Sequence, residues 1–247
     1  MLPTAITGIS SEDADQWLGS TQLLDLDDPK LRIQAMRITQ LASSAMQKAV
    51  FIHDFVKSLP FGCVSAFDHI PAATVLRAGR GDCHTKGTLF VALLRAAGVP
   101  ARLRFVTLSS KFLAGIIDIP QESITHAVGE VYLSGRWVQT DTYVTDEQFE
   151  MRALRKLEEQ GLKIGLGIHV NADRNWSGHQ ASHAQYSDQD PSSLPLKDLG
   201  FAHDPKYFYS DRSNQERQRS WTTRLKWMLV ATVVNHRVEK IRLSDFG

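Results

Sequence analysis

Three residues whose types could together carry out acyl chemistry stand far apart in this chain: Cys83, His126 and Asp141. Cys83 lies in the run Gly79-Arg80-Gly81-Asp82-Cys83-His84-Thr85-Lys86-Gly87. Two glycines permit a sharp turn where a side chain would clash. Asp82 has the residue type of a helix N-cap, and the apolar stretch 88–97 reads as the helix that follows. A cysteine in a first helical turn meets partial positive charge and free N–H groups, which favour a thiolate and can hold an oxyanion. By itself such a cysteine is more often a small buried apolar residue. The chemistry therefore depends on a base and an orienting group elsewhere.

The segment 125–141 supplies both. Thr125–Leu133 and Arg136–Asp141 read as two strands joined by Ser134-Gly135, the pattern of a two-residue hairpin. That loop length sets Leu133 opposite Arg136, and counting back sets Val128 opposite Asp141. Side chains alternate faces, so His126 shares a face with Val128 and Asp141 as a diagonal cross-strand neighbour. One more loop residue would turn Asp141 away. A carboxylate beside an imidazole fixes its tautomer and favours its charged form. With Cys83 at the other ring nitrogen the three would make a nucleophile, base and orienting acid. Taken alone, the pair reads more simply as a structural salt bridge at a sheet edge.

These residues need a helix and a sheet to hold them. Asp28-Pro29 suits a helix start, and Leu31, Ala35, Ile38, Ala42, Ala45 and Ala49 keep helical spacing. A second helix is expected from Ala45 to Lys57, stopped by Pro60. The cysteine helix should end at Gly98-Val99-Pro100, followed by an alternating strand over 101–108. Residues 109–123 read as a loop with an apolar middle, either a flap or, the reading favoured, a loop tucked onto the core. Helix is expected again over 145–160. Residues 161–193, and on to about 215, read as irregular. A last helix over 219–242 should bury Leu225, Leu229, Thr232, Val233 and Val238 and leave its basic end solvated. The expected architecture is α+β, a single domain over 1–247. It has a catalytic core at about 45–145, a helical extension over 1–44, and a helix, long loop and C-terminal helix over 146–247.

In order, Gly-x-Gly-x-Cys at 79–83, the helix ending Ala97-Gly98-Val99-Pro100-Ala101-Arg102, Thr125-His126-Ala127, Gly135-Arg136-Trp137-Val138 and Asp141-Thr142 resemble the transglutaminase-like family. The resemblance covers about residues 45–145. It departs at Asp141-Thr142-Tyr143, where proline commonly follows the acid. It implies a papain-like fold with the nucleophile helix packed on an antiparallel sheet. It also implies Cys83 as nucleophile, His126 as base and Asp141 as the orienting acid.

Composition narrows the remaining classes. A net charge of +1 gives no field for nucleic acid or an acidic membrane surface. Two cysteines, Cys63 and Cys83, form neither a disulfide framework nor a metal knuckle. Cys63 is expected to be buried and structural. Residues 1–8 lack the basic start and apolar run of a secretory leader, and no stretch has the length of a membrane span, so a cytoplasmic location is expected. His179 and His183 have helical-pair spacing but lie in loop-like surroundings, so no metal or other cofactor is expected. His169 and Trp176, in the long irregular segment, are candidates to line a substrate cleft. The residues support a cysteine acyl-transfer enzyme, a hydrolase or amide-forming transferase acting on a peptide, protein or small acyl substrate. The alternative is a binding module on the same fold whose chemistry is lost.

Overall fold

Asp28 accepts hydrogen bonds from the N–H groups of Lys30 and Leu31, and Pro29 occupies the first helical position, so helix α1 (Pro29–Thr39) starts where the sequence indicates. The computed structural model describes residues 14–64, 69–210 and 221–244. Residues 1–13 of the expected N-terminal extension, and with them the leader reading over 1–8, lie outside these residues. Ser44 caps α2 (Ala45–Ser58), and a short α3 (Ala72–Ala78) ends at Gly79, whose φ of +64° is the left-handed conformation glycine tolerates. Helix α4 (Cys83–Ala96) follows, with all of residues 84–95 buried. A helix buried all round has structure on every side. Here α1, α2 and α3 pack on it from one side and a sheet from the other.

The sheet is antiparallel throughout. Its strands are β1 (Ala101–Ser109), β2 (Ser123–Leu133) and β3 (Arg136–Thr140), with helix α5 (Glu147–Glu159) and the two-residue strands β4 (Ile164–Gly165) and β5 (Ile168–His169) coming before β6 (Lys197–Ala202). The order across the sheet is β3-β2-β1-β6, and β4 pairs with β5 separately. Leu133 opposes Arg136, and the pairing runs to Gly129 opposite Thr140, the register that the two-residue loop implies. Ser134 and Gly135 have φ of 51° and 83°, as a turn that follows the strand twist requires.

The segment read as irregular holds more structure than expected, beginning with the short pair β4 and β5. Residues 197–202 form the edge strand β6, and Pro205–Tyr209 form helix α6. Lys197-Asp198-Leu199-Gly200 carries no β-branched residue. Its extended form comes from pairing with β1, and the register shifts between Phe105 and Val106. The last helix, α7 (Trp221–Arg242), also presents a different face. Ala231, Val234, Val238 and Ile241 are buried, while Leu229 and Val233 are more than half exposed. Its basic end is not wholly solvated: Arg242 is buried, donating to Asp146 Oδ2 at 2.6 Å and to the Phe61 carbonyl at 3.2 Å. Asp146 in turn caps α5 and accepts from the Phe61 N–H at 2.7 Å. Burial alone would raise the Asp146 carboxyl, but Arg242 and these two amides hold it below its ordinary value. Asn235 of α7 closes a two-way bond with Cys63, accepting from its N–H at 2.8 Å and donating to its carbonyl at 3.0 Å. Thus α7 fixes the Phe61–Cys63 segment against the start of α4.

Candidate active site

Asp82 holds the start of α4 through a reciprocal capping box. Its carboxylate accepts from the N–H of His84 and of Thr85, and the Thr85 hydroxyl accepts from the Asp82 N–H at 2.9 Å. Gly81 is required by space. A Cβ there would lie 2.6 Å from Thr85 Oγ1 and 2.8 Å from Lys86 Cγ. Cys83 is thereby set on the first turn, partly exposed to a cavity of about 440 Å³. The capping box also narrows the oxyanion reading, since the amides of His84 and Thr85 already serve Asp82.

His126, on β2, lines the same cavity. Its ring is fully buried, with Nε2 2.9 Å from Asp141 Oδ2. A carboxylate only accepts, so Nε2 carries a proton, and in the neutral ring the lone pair is on Nδ1. Nδ1 is buried with no hydrogen-bond partner among the described residues. The residue after the cysteine is tied to the residue before the histidine: His84 Nε2 donates to the Thr125 carbonyl at 3.3 Å, and His84 Nδ1 meets the Tyr209 hydroxyl at 3.2 Å. This bond draws the start of α4 to the segment of β2 that carries His126.

Asp141 follows directly on β3 and is fully buried. Its Oδ1 accepts from the Ala184 N–H at 2.7 Å, and His183 Nδ1 stands 3.9 Å from Oδ2. Burial lowers the His183 imidazole from its ordinary value, Asp141 opposing that shift. The backbone at Ser182 runs parallel to the end of β3, bonded at Gln139 and Asp141. Residues 182–185 thus wall the acid from behind. Sequence reasoning weighed His183 here only as a metal ligand and gave the stretch no part beside Asp141. Loop length was the signal used, and it pointed to this segment but to His169 and Trp176 within it. His84, Tyr209 and Gln185, which also line the cavity, were missed likewise.

Three expectations fail here. His169 does not reach the cavity; it is 1% exposed, with Nε2 on Asp190 Oδ2 at 3.1 Å and Nδ1 accepting from the Asn171 N–H. Trp176 is buried against His53 and Phe90, and its indole N–H donates to the Gln180 carbonyl at 3.0 Å. Both serve the packing of the long loop. Cys63 is not buried but partly exposed, and it lines the cavity. The apolar residues of the 109–123 loop do tuck inward, Phe112 and Ile116 being buried, and they form a cavity wall.

The family model of the transglutaminase-like superfamily matches residues 33–142, a span that contains Cys83, His126 and Asp141 and begins within α1. The match thus starts earlier than the motifs alone suggest. None of the curated proteins matches the chain. Two solved structures are similar. One is a protein of Cytophaga hutchinsonii provisionally described as a cysteine protease, 21% identical with a TM-score of 0.43, covering 53% of this chain and 42% of its own. The other is a protein of Parabacteroides distasonis provisionally described as a protease, 18% identical with a TM-score of 0.34, covering 51% of this chain and 24% of its own. The chain therefore spans less than half the length of either. Among the described residues, no helix is long and apolar enough to cross a membrane.

Proposed function

We propose, from the premise that residues 33–142 form a transglutaminase-like core, that this protein is a cysteine acyl-transfer enzyme with Cys83 as nucleophile, His126 as base and Asp141 as the group that orients it. The observation that carries this reading is the buried 2.9 Å bond from His126 Nε2 to Asp141, which leaves Nδ1 unpartnered in the wall of the cavity that Cys83 lines. An imidazole held in that tautomer can take a proton only at Nδ1.

In the first step His126 Nδ1 accepts the Cys83 thiol proton and the sulfur attacks the carbonyl carbon of an amide or ester. The oxyanion that forms collapses, the bond to the leaving nitrogen or oxygen breaks, and His126 returns the proton to that leaving group. An acyl-thioester remains on Cys83. In the second step His126 removes a proton from water or an amine, which attacks the thioester carbonyl and releases the acyl group. Water makes the enzyme a peptidase or deamidase; an amine makes it an amide-forming transferase. Asp141 stabilises the imidazolium in both steps by accepting the Nε2 hydrogen.

Cys63 is an internal control, a second partly exposed cysteine on the same cavity. Iodoacetamide labelling followed by peptide mass spectrometry should modify Cys83 at least tenfold faster than Cys63 near neutral pH. Replacing His126 with alanine should remove that advantage. Equal, slow labelling of both cysteines would leave the binding-module reading in its place.

A further inference from the structure

The cavity beside Cys83 has walls of largely one chemical kind. Phe61, Phe112, Ile116, Ile117, Ile124 and Val234 make up much of its surface. No lysine, arginine or glutamate is among its described lining residues. Of the two aspartates there, half-buried Asp82 takes its capping bonds on Oδ1, and Asp118 is exposed. A charged acyl group would lose much of its hydration against such walls. An apolar group gains by the same burial.

Two of its lining residues carry a buried polar atom with no hydrogen-bond partner among the described residues, His126 at Nδ1 and Gln185. Gln185 is 1% exposed and lines the cavity. Its Nε2 donates to the Gly167 carbonyl at 3.2 Å. A carbonyl can only accept, so this contact fixes which end of the amide is nitrogen. The other end, Oε1, is a buried acceptor with no hydrogen-bond partner among the described residues. A buried acceptor in an apolar wall is unfavourable until a donor reaches it.

We infer that the cavity receives the apolar side chain of a hydrophobic amino-acid residue whose carbonyl Cys83 attacks, and that Gln185 Oε1 accepts an amide N–H of that same residue. The substrate class is then a peptide or N-acylated amino acid with an apolar residue on the acyl side of the bond. This rests on the acyl transfer proposed for Cys83 and adds to it what the acyl group must be. Gln185 is a specificity residue, set on the segment that also holds Asp141.

The test uses p-nitrophenyl esters of N-acetyl-leucine, -phenylalanine, -glutamine, -glutamate and -lysine with the full chain. It adds the leucine analogue in which an ester oxygen replaces the amide N–H. Nitrophenol release gives kcat/KM, and intact-protein mass spectrometry identifies the adduct on Cys83. The leucine and phenylalanine esters should exceed the other three by at least about tenfold. The oxygen analogue should fall about tenfold below its amide parent, and Gln185→Leu should shrink that gap to about twofold or less. Equal rates for leucine, glutamate and lysine would overturn the inference. So would a wild-type enzyme indifferent to the N–H, a result that needs no variant. Absence of any Cys83 adduct with every ester would instead remove the acyl-transfer reading beneath it.

Discussion

Asp141 has two oxygens and two obligations, and this makes it the most informative residue to change. Oδ2 accepts from His126 Nε2 and Oδ1 accepts from the Ala184 N–H. In Asp141→Asn the amide oxygen must stay with Ala184, because that N–H can only donate. The amide NH2 then faces His126 and drives the imidazole proton to Nδ1, where the lone pair is needed. The side chain keeps its volume while the base proposed at His126 is lost. We expect kcat/KM for a p-nitrophenyl ester to fall by about 10³- to 10⁴-fold near neutral pH, with circular dichroism unchanged. Retention of more than a tenth of the activity would show that Asp141 does not set the tautomer.

At the scale of elements, the meeting of α4 with β2 depends on Gly129. A Cβ at that position would lie 2.7 and 2.8 Å from Phe90 ring carbons and 3.2 Å from the Tyr143 ring. Phe90 and Tyr143 stack with ring centroids 4.4 Å apart, directly against this strand. Neither fully buried ring has room to retreat. Gly129→Ala should therefore destabilise the protein by about 1–3 kcal/mol, read as a lower midpoint in urea unfolding with the slope unchanged. The contact between α7 and the Phe61–Cys63 segment offers a second check. Asn235 satisfies both backbone groups of Cys63. Asn235→Ala should lower stability by about 1–2 kcal/mol and raise the alkylation rate of Cys63 relative to Cys83. An unchanged ratio would mean that α7 does not hold that wall of the cavity.

For the whole molecule, buried histidines tie stability to pH. Burial holds the imidazoles of His53 and His183 below their ordinary value, against the pull of Asp54 and Asp141 respectively. In the unfolded chain each titrates near about 6.5. Below that pH the unfolded state binds protons that the folded state does not, so folding stability falls as pH falls. Glu150, raised by burial despite Lys57, acts in the opposite sense. Glu130 lies below its ordinary value because Arg104 and Arg102 outweigh its burial, and its contribution is lost only in more acidic solution. The clean readout is thus a difference. The loss of unfolding free energy between pH 7.5 and 5.5 should be smaller in His53→Gln than in the parent, while an equal loss would assign the slope to other groups.

Much of the candidate site's local geometry was legible in the chain because its rules are local. Gly81 and Asp82 announce a tight approach and a cap, and the helix begins where they put it. The two residues Ser134 and Gly135 fix a register that runs to Thr140, and Asp141 follows next with its carboxylate on His126, its own N–H bonded to Ser182 rather than paired with β2. No local rule marks Lys197–Ala202 as a strand or chooses which face of α7 is buried, since in each case a partner distant in sequence decides. The same holds for His84 reaching Thr125, for Ala184 reaching Asp141, and for the inward turn of Gln185. The sequence by itself determined the caps, turns and strand register, because these follow from backbone conformation within a few residues. Only the tertiary structure decided the walls of the cavity and the hydrogen bonds that join its segments. Those arise from pairings between distant residues, and the free energy of each exists only when the chain has closed around them.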